Sequence, residues 1–273
     1  MSIALIEQYI NYVEKEKDLS PNTVDAYTKD LEQLNIYFQE NNIDSMIHIN
    51  KTNIITYLIY LQRCGKTNTT ISRKLTSIRC FYQYLLNNGM IKEDPTFNLK
   101  SPKKERKSIT ILTIEELDIL LSQPDTRCYK GCRDRAMLEL ICSTGLRVSE
   151  MLSLNIRDFD FKSSVINLND NRIILVEESA SIYISKYLNE FRINYNIDDP
   201  LFTNLYGNRL TRQGFWKIMK AYAKYAGFNK TVTPQVLRNS FAFHIINNGI
   251  NIYKAKDILG HSNITTTERY LLK

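Results

Sequence analysis

The sequence predicts a mainly α protein in two domains. The first is wholly helical, and the second is mostly helical around one small β-hairpin. Three observations predict this. The chain has 273 residues, which suits two cores better than one. Apolar residues recur at helical spacing along most of its length. Between two periodic regions, residues 94–107 hold two prolines, a basic run and no periodicity. The boundaries expected are therefore a helical domain at 1–93, a linker at 94–107 and a second domain at 108–273.

Residues 3–13 place Ile3, Ile6, Ile10 and Val13 at helical spacing. Ser20-Pro21-Asn22-Thr23 is a helix start, with serine as N-cap and proline first inside. Val24, Tyr27, Leu31, Leu34 and Phe38 then form one stripe that ends near Asn41-Asn42. A third helix fits Asn53 to Cys64 and a fourth Thr69 to Asn87, where Ile71, Leu75, Ile78, Tyr82 and Leu85 share a face. Gly89 after Asn87-Asn88 closes it, because these residues tolerate a left-handed cap. The linker is expected to be extended and mobile until it lies along phosphates. Thr113-Ile114-Glu115-Glu116 opens the second domain as a capping box. Helices are expected at about 132–142, 146–154, 179–193, 211–226, 234–248, 251–259 and 264–271. Ser164 to Leu168 and Arg172 to Val176 are short and β-branched, and Asn169-Asp170-Asn171 joins them as a tight hairpin turn.

Hydrophobic residues make up 43% of the chain and charged residues 24%, as in a soluble globular protein. No apolar run approaches the ~18 residues of a membrane span, and the N-terminus carries no signal-peptide pattern. Five cysteines at 64, 80, 128, 132 and 142 read as reduced thiols of a cytoplasmic protein. Cys128 and Cys132 lack the further ligands a zinc site needs, so no metal is expected. The net charge is +7, unevenly spread. Ser45 to Lys92 holds seven Lys or Arg and no acid, and Arg209 to Lys230 holds six and no acid. Several separate acid-free runs favour a polyanionic partner.

Four residues suggest what would be done to that polyanion. Arg147 follows Thr144-Gly145 at a helix start, with Glu150 placed to brace it. Arg238 lies just inside a helix started by Pro234. His261 follows Leu259-Gly260, and Tyr270 comes nine residues later. Cleaving a phosphodiester without metal gathers charge on the non-bridging oxygens, which planar, always charged guanidinium groups suit. A tyrosine hydroxyl can attack and stay attached, which keeps the bond energy for resealing. A histidine can hydrogen-bond the phosphate or move protons. Each residue alone is unremarkable: an ion pair, a helix-junction histidine, one of 17 tyrosines.

Taken in order, Thr144-Gly145-Leu146-Arg147-Val148-Ser149-Glu150, Leu237-Arg238-x-x-Phe241, Leu259-Gly260-His261-Ser262 and Tyr270 resemble the tyrosine recombinase (phage integrase) family. The likeness is greatest to its Xer and transposon-integrase branch. Ser20-Pro21-Asn22-Thr23-Val24-x-x-Tyr27 and Arg73-Lys74-Leu75 through Tyr84-Leu85-Leu86 resemble the branch's N-terminal DNA-clamping domain, and Leu210 to Trp216 its catalytic domain. The resemblance implies a SAM-like core-binding domain followed by a catalytic domain. It implies that Arg147 and Arg238 clamp the scissile phosphate, His261 hydrogen-bonds it, and Tyr270 attacks to give a 3′-phosphotyrosyl link. It implies no cofactor, a specific site in double-stranded DNA, and a homo-tetramer on two sites or a hetero-tetramer with a second recombinase. Arg73, Lys74 and Arg79 are the candidate phosphate and groove contacts; Lys66, Lys103, Lys104, Lys217, Lys220 and Lys224 are weaker positioning ones.

Three departures from the family pattern stand out. Gln235 occupies the usual histidine position three residues before Arg238. An amide can hydrogen-bond a phosphate but cannot exchange protons near neutral pH. The hairpin turn Asn169-Asp170-Asn171 has no lysine, where the family places one to protonate the leaving 5′-oxygen. Arg172 is nearest, and a guanidinium is a very poor proton donor. After Tyr270 come Leu271-Leu272-Lys273, where relatives often have a further helix that docks on a neighbouring protomer, so a weaker assembly is expected. Beside an active recombinase stand three other readings. They are a degenerate homologue that binds DNA or a partner recombinase, a topoisomerase-like relaxing enzyme, and an unrelated helical DNA-binding regulator.

Overall fold

A computed structural model describes residues 2–271 apart from 18, 44 and 104–107. The chain divides into two units, Met1–Lys107 and Ser108–Lys273.

The first unit is built on α1 (Ser2–Lys15), α2 (Pro21–Glu40), α3 (Lys51–Arg63) and α4 (Asn68–Asn87). Their starts are set by capping side chains. Ser20 Oγ accepts from the Thr23 amide ahead of α2, Asn50 and Asn53 cap reciprocally ahead of α3, and Thr67 caps α4. Leu31, Leu34, Phe38, Ile54, Tyr57, Leu61, Ile71, Leu75 and Ile78 fill the core. The face of α1 differs from expectation. Leu5, Ile6, Tyr9 and Val13 are buried, whereas Ile3 is exposed and Ile10 half-buried. The large ring of Tyr9, packed edge-on to Phe81, draws the helix round to that side.

The expected mobile linker also needs correction over its described part. Thr96 and Leu99 are buried, and Leu99 belongs to the first core. Ser72 Oγ donates to the Pro102 carbonyl at 3.2 Å, and Asn68 Nδ2 to the Lys103 carbonyl at 3.2 Å. A segment without periodicity can still be ordered if its backbone accepts from donors on a neighbouring helix. Residues 104–107 lie outside the described ones.

The second unit begins with α5 (Ile114–Leu121), capped reciprocally by Thr113 and Glu116, and α6 (Tyr129–Thr144). Helix α6 is buried on nearly every side from Gly131 to Ile141, packed between α8 (Glu178–Phe191) and α10 (Pro234–Asn247). Its buried residues include Arg133, Asp134 and Glu139, and these charges are paired, Arg133 with Asp134 and Glu139 with Arg135. It starts three residues earlier than expected, because its first turn is polar. A three-stranded antiparallel sheet, β1 (Phe159–Asp160), β2 (Val165–Asn167) and β3 (Ile173–Leu175), follows α7 (Val148–Ser153). Strand β1 is additional to the expected hairpin, since two residues show no period. After α8 come α9 (Arg212–Tyr225), α10, α11 (Ile252–Leu259) and α12 (Thr265–Glu268). The expected last helix is thus one turn, and Tyr270 follows it. No helix among the described residues is long and apolar enough to cross a membrane.

Candidate active site

The site is assembled in the second unit, where three helix ends and one hairpin turn converge. Helix α6 stops at Gly145, which takes the left-handed cap with φ 62°. A Cβ here would lie 2.2 Å from the Phe241 ring, so glycine is required twice over. The chain then turns into α7 with Arg147 as its N-cap. Glu150 reaches back, and its Oε2 accepts from the Arg147 amide at 2.7 Å. Its Oε1 accepts from Arg147 Nη1 at 2.7 Å. The expected brace is therefore present, and it holds backbone and guanidinium together.

Helix α11 supplies the opposing surface. Gly260 ends it in the left-handed region, φ 59°. Its last carbonyls lack intrahelical partners and carry the negative end of the helix dipole. Three arginines donate to three consecutive ones. Arg172 Nη1 donates to Ile258 O at 3.3 Å, Arg238 Nη2 to Leu259 O, and Arg147 Nη2 to Gly260 O at 2.6 Å. Arg238 Nη1 also donates to Gly145 O at 2.6 Å, which ties α10 to the α6 cap. His261 comes immediately after this fan. Its Nδ1 pairs with Thr267 Oγ1 at 2.9 Å, and Thr267 is fully buried.

The cations shift the titrations around them. Burial lowers Arg238 to about 10, helped by Arg147, so it stays charged at neutral pH. His261 falls to about 4, first through burial and then through Arg238, Arg147 and Arg172. It is a neutral imidazole at pH 7. Burial opposes ionisation of Glu150, but the Arg147 amide and the Arg147 and Arg172 guanidiniums outweigh it and lower its pKa.

Tyr270 is buried, against Ala242, Ile246, Ala255 and Leu259. Its hydroxyl donates to Asn239 Oδ1 at 2.8 Å. Burial raises its pKa, with Arg269 and Arg238 opposing. The same Asn239 oxygen accepts from Gln235 Nε2 at 2.9 Å. Gln235 itself is exposed, on the rim of a cleft of about 430 Å³ that is also lined by Arg147, Arg238, Arg212, Trp216 and Thr233. His244, whose ring pairs with Leu112 O at 2.8 Å, is engaged elsewhere.

Sequence reasoning thus placed Arg147, Arg238, His261, Tyr270 and Gln235, and all five lie in this unit. It missed Asn239 and Thr267. The Gln235–Asn239 spacing of four is a known helical pairing and could have pointed to Asn239. Nothing local marks Thr267.

The candidate DNA contacts fare less evenly. Lys74 is buried, with Nζ on Asp30 Oδ1 at 2.7 Å, and is withdrawn as a phosphate contact. Arg73 is exposed, but both terminal nitrogens bond the Asp30 carboxylate. Arg79 is half-buried and donates to Leu99 O and Ser101 Oγ. Lys66, Lys103, Lys217, Lys220 and Lys224 are exposed, and Lys104 lies outside the described residues.

The profile of the phage integrase family matches residues 110–273, and that of the phage integrase N-terminal SAM-like domain matches residues 6–89. The chain belongs to the phage integrase, or tyrosine recombinase, family. It is 36% identical to tyrosine recombinase XerD of Staphylococcus epidermidis over 97% of this chain and 92% of that one. Identity to XerD of Oceanobacillus iheyensis is 38%, over the same shares. Its fold is similar to the Tn1549 transposon integrase solved with circular intermediate DNA, at TM-score 0.80, 19% identity and coverage of 98% and 95% of the two chains. XerH recombinase, solved on its difH substrate after cleavage, aligns at TM-score 0.77 and 20% identity, over 97% of this chain and 80% of that one. The tyrosine recombinase fold expected from the motifs is the one observed.

Proposed function

We propose that this tyrosine recombinase cleaves and rejoins DNA at a specific site through a 3′-phosphotyrosyl intermediate on Tyr270. The observation that carries the reading is the convergence of Arg147 and Arg238 on the end of α11, beside His261. Each of these two arginines donates two N–H groups to the bonds described above and has three of its five left. Arg238 is held by carbonyls alone and Arg147 by a carbonyl and Glu150, and both present free donors to the phosphate oxygens. Such fixed donors stabilise the charge that develops on phosphorus without reorganising. His261, neutral and fixed by Thr267, donates from Nε2 to a phosphate oxygen in the tautomer that accepts at Nδ1. Tyr270 must leave Asn239 to attack, so DNA engagement and release of the nucleophile are coupled. The first unit clamps the duplex, the enzyme works as a tetramer on two sites, and it acts in the cytoplasm without cofactor.

A second reading, a DNA- or partner-binding homologue with little chemistry, is favoured by the lysine-free turn and the buried hydroxyl of Tyr270. One experiment separates the two. Sites are selected from a random duplex pool, then offered with a nick that traps the covalent complex, and adducts are read on a denaturing gel. Wild type gives an adduct, and Tyr270→Phe abolishes it while binding persists. Tight binding of wild type without adduct would hand the case to the second reading.

A further inference from the structure

The hairpin turn lacks the lysine of its relatives but is not an empty corner. Asp170 Oδ2 accepts from Arg172 Nε at 2.6 Å, which folds the side chain back across the turn. Arg172 Nη2 then reaches Glu150 Oε1 at 2.5 Å, the oxygen that also holds Arg147. Its Nη1 takes the Ile258 carbonyl, one residue before the carbonyl held by Arg238. The guanidinium lies against Gly260, where a Cβ would come within 2.5 Å of Nη1 and 2.6 Å of Cζ. The side chain is mostly buried, at 17% exposure, whereas Arg147 is at 42%.

We propose that Arg172 is the third arginine of the phosphate site: a positioning residue that locks Glu150, and through it Arg147, against the end of α11. It does not deliver the proton to the leaving 5′-oxygen. Three of its five N–H groups are committed inside the protein, and a guanidinium gives up a proton too reluctantly for that task. Planarity matters here. One fork meets two carboxylates and a carbonyl on three sides, which a lysine ammonium of different shape does not match. The glycine before His261 has a second duty besides its left-handed cap, namely to leave room for this plane.

The proposal rests on the recombinase reading, and the test keeps the two apart. Adduct formation is measured on the nicked site with an ordinary 5′-oxygen and with a 5′-bridging sulfur, whose thiolate leaves without protonation. Arg172→Ala should slow cleavage of the oxygen substrate roughly 100-fold, the scale of a misplacement near 1 Å. The defect should persist on sulfur, and Arg172→Lys should not repair it. In ¹⁵N-arginine spectra the resolved Arg147 guanidinium signals should broaden in Arg172→Ala. Arg172→Gln serves if the alanine variant does not fold. Rescue by sulfur to near the wild-type rate would make Arg172 a proton donor and overturn the proposal. An unchanged oxygen rate with unchanged Arg147 signals would overturn it too. Failure of wild type on both substrates would instead sink the recombinase reading, while the spectra would still report on the clamp.

Discussion

Each unit gathers basic side chains around a cluster of acceptors, and the acceptors differ. In the first, Asp30 is buried and accepts from Arg73, Lys74 and Ser77. The carboxylate offsets one of the two positive charges, and Lys74 is withheld from solvent. In the second, Arg147, Arg172 and Arg238 all donate to carbonyls at the end of α11, which are neutral. Glu150 and Asp170 offset two of these three charges, through Arg147 and Arg172, and Arg238 faces no carboxylate within ion-pair distance among the described residues. A carboxylate fixes a cation by neutralising it. A carbonyl fixes it and leaves its charge available. The difference lies in Arg238, held by carbonyls alone: the first unit builds a structural knot, the second a candidate anion site.

That contrast can be broken from either side. The largest stability effect is expected at the knot. Asp30→Ala strands Lys74 in the core, and losing one partner of a buried pair costs about 3–5 kcal/mol. The urea midpoint of the first unit's transition should fall accordingly. At the proposed anion site Arg238→Ala should slow adduct formation roughly 10²–10³-fold, the scale of removing one oxyanion donor. Single-turnover rates on the nicked site measure this, and an unchanged rate would remove Arg238 from the clamp.

Gly260→Ala should be smaller but mixed. It forces a left-handed alanine, about 1–2 kcal/mol, and pushes on the Arg172 guanidinium. Melting and cleavage should fall together.

His261 makes a pH prediction. Its folded pKa, about 4, lies below the unfolded value of 6.5. Between those values the unfolded state binds more protons, so without DNA stability rises with pH from about 4 to 6.5 and is level above. His261→Gln should remove that part of the slope in urea titrations across the window.

The smallest expected effect per residue is at Lys217, Lys220 and Lys224 on the exposed face of α9. For every phosphate that a lysine-to-glutamine change leaves unneutralised, the slope of log affinity against log salt should flatten by about 0.9. An unaltered slope in the triple Gln variant would take this face off the DNA.

Much of this is legible in the chain. Capping signals such as Ser20-Pro21 and Thr113 to Glu116 are local chemistry, so the starts of α2 and α5 follow from a few adjacent residues. The ordered motifs containing Arg147, Arg238, His261 and Tyr270 carry the resemblance to the family. The availability of the first unit's cations is not legible. Asp30 and Arg73 are 43 residues apart, and charge counts treat the run from Ser45 to Lys92 as free. Nor is the state of the proposed nucleophile, since Tyr270 meets Asn239 across 31 residues. In the sequence Arg172 stands out for what it cannot do as a proton donor, and its role as a strut needs the fold.

The helices and the hairpin turn are legible in the chain because they depend on neighbours within a few residues, and the candidate reactive side chains follow from the family resemblance. The tertiary structure decided which cations keep their charge exposed and where the Tyr270 hydroxyl rests. Burial and hydrogen-bond partnership are set by groups far apart in the chain: Arg147 finds its carbonyl at Gly260, 113 residues on.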